Sequence, residues 1–217
     1  MKTLNIVPVL VLILVLALTR LGLANDGKYF EAMQKNIKAI YEAQTIEQLQ
    51  ATVNAFERIG SAEKDKWEPS YYAAYGYIIM ATREQDGAKK DAYLDQAMKA
   101  IEKAKAVAPK ESEVIALEGF AYMIRVTVDP ASRGQQYSGL SIQAYQKALA
   151  FNGDNPRALS LLAQMQYGTA QFFGSSTSEA CGTLQKALEK FDSYKSENAL
   201  APQWGKQMAE KLKTNCK

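Results

Sequence analysis

Histidine is absent from all 217 residues, which removes the commonest general base and the commonest neutral metal ligand together. Cysteine occurs twice, too rarely for a zinc cluster, and the glycines form no phosphate-cradling loop. No excess of one charge exists either: 26 basic against 23 acidic residues give a formal net charge of +3. With no Lys/Arg cluster, the electrostatic footprint that nucleic acid requires is missing. Apart from residues 6–18, no long apolar run is present, so a stable membrane span after that point is not expected. No nucleophile stands with a base and no metal-ligand spacing occurs, so neither catalysis nor a metal nor a cofactor is expected.

What is present begins with an export leader. Lys2 supplies the positive start, 6–18 the apolar stretch, and Gly22, Leu23 and Ala24 the small residues of a cleavage point. Residues 1–24 read as a signal peptide and 25–217 as one mature helical domain, periplasmic or secreted. The alternative, an uncleaved anchor, conflicts with the short run and with Arg20. Loss of Lys2 and Arg20 takes the net charge to +1, so the basic character belongs largely to the leader.

Beyond residue 25 apolar positions recur three or four apart, and sustained alternation is missing, which predicts an all-α chain of about nine helices. Phe30, Met33, Ile37 and Ile40 make one face over 28–41. Thr45 and Gln48 form a capping box, with Ile46, Leu49, Val53, Phe56 and Ile59 buried until Gly60. Pro69 opens a third helix to about 83, and 89–108 is its partner. The fifth spans 113–126 and breaks at Asp129-Pro130. A polar loop through Gly134 leads to a sixth carrying Leu140, Ala144, Tyr145 and Ala148. Asn155-Pro156 starts the seventh, toward Gly168. Ser176 with Glu179 suggests another capping box for the eighth, and the last runs from Pro202 to about Cys216.

Three second helices align without gaps: Ile101-Glu-Lys-Ala104, Tyr145-Gln-Lys-Ala148 and Leu184-Gln-Lys-Ala187. Their alanines stand 44 and 39 residues apart. Each unit is therefore a helix pair in which a small residue admits a bulky neighbour. These residues, with Gly76/Ile79, Gly119/Tyr122, Ala163/Gln166 and the terminating Pro109, resemble the tetratricopeptide repeat family in a divergent form. Family units of 34 residues are shorter, so longer helices or turns are expected near 85–89, 129–139 and 172–178. The resemblance implies stacked antiparallel helical hairpins: a degenerate pair over 28–60, three clear pairs over 69–194, and a capping helix over 202–216.

The resemblance also implies binding along the concave side, lined by the first helix of each pair. Helical spacing there selects Ser70, Ala73, Tyr77 and Met80, then Glu113, Ala116, Phe120 and Met123, then Arg157, Ser160, Gln164 and Tyr167. The expected contacts are Tyr77, Met80, Phe120, Met123, Arg157, Gln164 and Tyr167, an aromatic and Met-lined groove suited to a protein or peptide partner. The family's Lys, Asn and Arg clamp for a C-terminal carboxylate is missing. The second candidate is a small-molecule or lipid carrier with an apolar cavity between hairpins, and the third a carboxylate-only hydrolase. Glu111 and Glu113 read as first-turn acids favouring a helix dipole. The Tyr71, Tyr72, Tyr75 and Tyr77 cluster and Phe172-Phe173 read either as packing or as contact surface. Cys181 and Cys216, at the start of the eighth helix and the end of the ninth, are expected to pair. The alternative is two buried thiols.

Overall fold

The computed structural model describes residues 26–216. The leader expected over 1–24 lies outside them. Nine helices make up the described residues: α1 over 26–42, α2 Ile46–Ala62, α3 Glu68–Arg83, α4 Gly87–Val107, α5 Ser112–Val126, α6 Pro130–Phe151, α7 Pro156–Phe172, α8 Ser178–Ser193 and α9 Lys206–Lys213. No strand occurs among them. Each helix packs on the next in the pairs α3/α4, α5/α6 and α7/α8, and the first helices α3, α5 and α7 pack side by side. The result is an all-α stack of antiparallel hairpins of the tetratricopeptide type.

Local chemistry explains most starts. Thr45 and Gln48 form the expected capping box on α2. Asn155 accepts from the N–H groups of Arg157 and Ala158 while Pro156 takes a first-turn position that needs no donor. Asp129-Pro130 is not the break it resembles. Asp129 accepts from the Ser132 N–H and Pro130 again sits in the first turn, so α6 begins at once and Gly134 lies inside it rather than in a loop. The long units thus arise from helices of 21 and 22 residues, α4 and α6, instead of long turns. Ser176 and Glu179 form no capping box, because Thr177 holds the cap position without a side-chain bond. α2 continues through Gly60 to Ala62, and α7 through Gly168 to Phe172.

The repeat logic is clearest in the middle hairpin. A methyl group on Gly119 would lie 2.4 Å from the Tyr145 ring, so only glycine lets the ring seat against α5. Ser141 donates to the Gly119 carbonyl at 2.9 Å, satisfying that buried group. Gly76 also sits at a close approach, but its neighbours are Val53 of α2 and Ile40 of α1 rather than α4. Ile101, Tyr145 and Leu184 are buried alike, as are Ala104, Ala148 and Ala187. Between hairpins, Asn155 donates to Ser112 and Ser112 to the Ala148 carbonyl, each at 2.9 Å, tying α7, α5 and α6 at one corner. On α1 the buried ring is Tyr29, while Phe30 is exposed.

One continuous core runs from α1 to α7 and takes in Leu200 and Trp204 from beyond α8. Ala163, Leu184 and Ala209 form a separate cluster joining α7, α8 and α9. Cys181 and Cys216 are joined in a disulfide with Cα atoms 5.6 Å apart, fastening the end of α9 to the start of α8. No helix of the described residues is long and apolar enough to cross a membrane.

Candidate functional site

The surface of the first helices is not bare. After α8 the chain leaves helix at Tyr194 and runs as an irregular strap to Gly205, touching α3, α5 and α7 before α9 begins. The body holds it largely through tyrosine hydroxyls. Tyr72 donates to the Leu200 carbonyl at 2.8 Å, Tyr41 accepts from the Gln203 N–H at 3.2 Å, and Tyr71 accepts from the Trp204 indole N–H at 3.0 Å. At the outer end Asn198 donates to Glu68 at 3.0 Å, and Tyr29 donates to the other oxygen of that carboxylate. Pro202 therefore starts no helix. It lies in the strap, and α9 waits until Gly205, whose φ of 106° strains any L side chain and whose Cβ position would lie 3.0 Å from Phe191 and 3.1 Å from Arg157.

Trp204 is the centre of this arrangement. Its ring stacks on Tyr75 of α3 at 5.1 Å and on Phe120 of α5 at 5.5 Å. Tyr41 of α1 stands edge-on to Tyr75 at 5.9 Å and closes that side. Beside the indole, Arg157 is 1% exposed and forms two 2.7 Å bonds with Glu113, donates to the Trp204 carbonyl, and lies 4.7 Å over the Tyr194 ring. Burial works to lower the Arg157 pKa, but the Glu113 carboxylate outweighs it and holds the guanidinium charged well beyond its ordinary range. Glu113 is thus an ion-pair partner rather than simply a first-turn acid.

The seven residues selected by spacing are dispersed. Phe120 and Arg157 both touch Trp204 of the strap, one through its ring and the other through its carbonyl. Tyr77 is buried and donates to Glu57 of α2, Met80 is fully buried, and Met123 is buried with its sulfur 3.8 Å from the Tyr145 hydroxyl. Gln164 is exposed, and the half-buried Tyr167 accepts from Gln171. Sequence reasoning missed Trp204, Tyr41 and the strap. The available signal was Trp204 followed by Gly205 in a segment with few apolar residues.

Burial dominates the tyrosine chemistry. It raises Tyr41, Tyr72 and Tyr75, raises Tyr71 most plainly, and with the Glu57 hydrogen bond pushes Tyr77 up to about 12. Among the described residues no cluster of three or more His, Cys, Asp or Glu is arranged to hold a metal ion. Elsewhere, Phe172 and Phe173 stand 82% and 73% exposed at the end of α7. Two shallow recesses, of about 530 and 500 Å³, are open to solvent, one between α8 and α9 and one along α4 beside Glu57.

Neither a protein-family model nor a curated protein matches the chain. Among solved structures it is similar to the HusA haemophore from Porphyromonas gingivalis, with 30% identity and a TM-score of 0.78 over 87% of this chain and 92% of that one. The chain belongs to the HusA family. Membership of the HusA family accounts for the close agreement along nearly the whole helical stack. The chain is also similar to TTC0263, a thermophilic TPR protein in Thermus thermophilus, with 17% identity and a TM-score of 0.49 over 80% of this chain and 84% of that one.

Proposed function

We propose that this protein is an exported, non-enzymatic carrier of haem or a related porphyrin, gripping the planar macrocycle by stacking and apolar contact rather than through an axial iron ligand. The observation that carries this reading is membership of the HusA family through the haemophore, which this chain matches over 92% of that protein's length. The chemistry of the chain supports the mode of binding. Histidine is absent and both cysteines are in a disulfide, so two of the usual haem-iron ligand types are missing, while Tyr75, Phe120 and Trp204 supply aromatic faces. The disulfide and the leader expected over 1–24 support export.

Absorbance titration of the mature protein with haemin and with metal-free protoporphyrin IX tests the reading. Saturable changes with both are expected, with affinities within about tenfold of each other, or about 1.4 kcal/mol. Failure of both to bind overturns the carrier. Binding of haemin alone overturns the stacking mode.

A protein or peptide partner on the first-helix side is the second reading. It is favoured by one observation: the strap already lies across that face as an extended peptide would, with its Trp204 side chain seated between hairpins. The periplasmic or extracellular partner would then compete with the strap. Pull-down by a folded Tyr77→Ala/Phe120→Ala/Tyr167→Ala variant as strong as by the wild type would rule out the expected groove.

A further inference from the structure

The strap differs from the rest of the stack in how it is held. Between Tyr194 and Gly205 it has no helix and no strand pairing, and the side chains it buries are Leu200, Pro202 and Trp204. Its ends are fixed. Tyr194 follows directly from α8, and Gly205 leads into α9, which the disulfide pins at Cys216. A segment anchored at both ends can leave a surface and return in the same register, because closing needs no search of the chain.

The place it would leave has a definite chemistry. Tyr75 and Phe120, from successive first helices, offer ring faces now covered by the indole. Tyr41 forms an upright wall and is itself 36% exposed. The Tyr71 hydroxyl stands at the end as a hydrogen-bond partner, freed from the indole N–H. Arg157 contributes no free charge, since Glu113 neutralises it with two bonds. Such a seat grips a flat aromatic ring system by its faces and leaves charged substituents at the ring edge to solvent.

We infer that Trp204 is a built-in stand-in for the ligand, and that the strap opens so that a planar aromatic macrocycle takes the indole's place on Tyr75 and Phe120. This inference rests on the carrier reading and names the site and gate within it. Because the strap competes with the ligand, apparent affinity is reduced by the fraction of molecules that are closed. Weakening the strap should therefore strengthen binding.

The test uses the full mature chain labelled with 5-fluorotryptophan and titrated with metal-free protoporphyrin IX. Two fluorine signals are present, from Trp67 and Trp204. The Trp204 signal is expected to move to a solvent-exposed position, with a new H2O/D2O shift, as the porphyrin saturates, while Trp67 stays where it is. In parallel, Trp204→Ala is expected to bind protoporphyrin about tenfold more tightly than wild type, and Phe120→Ala about tenfold more weakly at unchanged helicity. Saturable binding with Trp204 still protected overturns the gate, as does weaker binding by Trp204→Ala, which would make the indole a contact. No binding by either the wild type or Trp204→Ala overturns the carrier reading itself. The label experiment needs no substitution, so misfolding of a variant does not decide the matter.

Discussion

The middle hairpin and the strap fill space by opposite means. In α5 and α6 a glycine meets a tyrosine ring, Gly119 against Tyr145, and the fit depends mainly on shape. In the strap, hydroxyl and amide bonds from Tyr41, Tyr71, Tyr72 and Asn198, together with the Trp204 ring on Tyr75 and Phe120, hold a segment that lacks regular structure. The first kind of contact is all-or-none, because a close-packed interface loses most of its energy with a small displacement. The second can be released piecemeal. A stack built mainly of the first kind can therefore carry a moving part made of the second without loosening itself.

Arg157 of α7 bonds both regions, Glu113 of α5 and the Trp204 carbonyl of the strap, so breaking its pair should have the largest effect. Glu113→Ala leaves the buried guanidinium uncompensated and should cost about 3 to 5 kcal/mol in urea unfolding. The double variant Glu113→Leu/Arg157→Met should recover most of that. If the single variant is as stable as wild type, the pair does not join strap and stack. Next comes the disulfide. Cys181→Ser/Cys216→Ser should cost about 3 to 4 kcal/mol on a chain-entropy basis. Hydrogen exchange should then accelerate in α9 and the strap while Tyr145 and its neighbours remain protected. Equal acceleration in α5 and α6 would erase the distinction drawn above.

Gly119→Val forces atoms into the Tyr145 ring and should cost about 3 kcal/mol, whereas Gly168→Val, on an exposed position with nothing within 4 Å of its Cβ site, should be nearly neutral. Comparable thermal shifts for the two would contradict the shape argument. The smallest effect concerns Glu111. Burial raises its carboxyl above the ordinary range, so the folded chain holds that proton more tightly than the unfolded chain does. Its contribution to stability is complete below the ordinary carboxylate range and is lost as pH rises through the raised value. Glu111→Gln keeps an acceptor for the Glu113 N–H and removes the charge. It should flatten the stability profile at and above the ordinary carboxylate range, and an unchanged profile would remove Glu111 from the account.

Local signals carried the stack well. Thr45 with Gln48, Asn155 with Pro156, the Ile101, Tyr145 and Leu184 steps and the Cys181–Cys216 pairing all act over a few residues or through one helix pair. Asp129-Pro130 misled because a cap followed by a first-turn proline looks like a break until the helix after it is known. The strap was illegible for a different reason. Trp204 meets Tyr71 across 133 positions and Leu200 meets Tyr72 across 128, so nothing near residue 200 announces the contact. Spacing alone also chose Tyr77 for the open side, whereas its hydroxyl is bound to Glu57 of α2. Periodicity gives a helix's buried stripe but not which neighbour covers each part of it.

A crystal structure of the mature protein with bound protoporphyrin IX tests the central claim most directly. The account predicts the macrocycle against Tyr75 and Phe120, with Trp204 displaced and the Gly119–Tyr145 contact unchanged. A macrocycle resting instead on Phe172 and Phe173, with the strap still closed over Arg157, would contradict it.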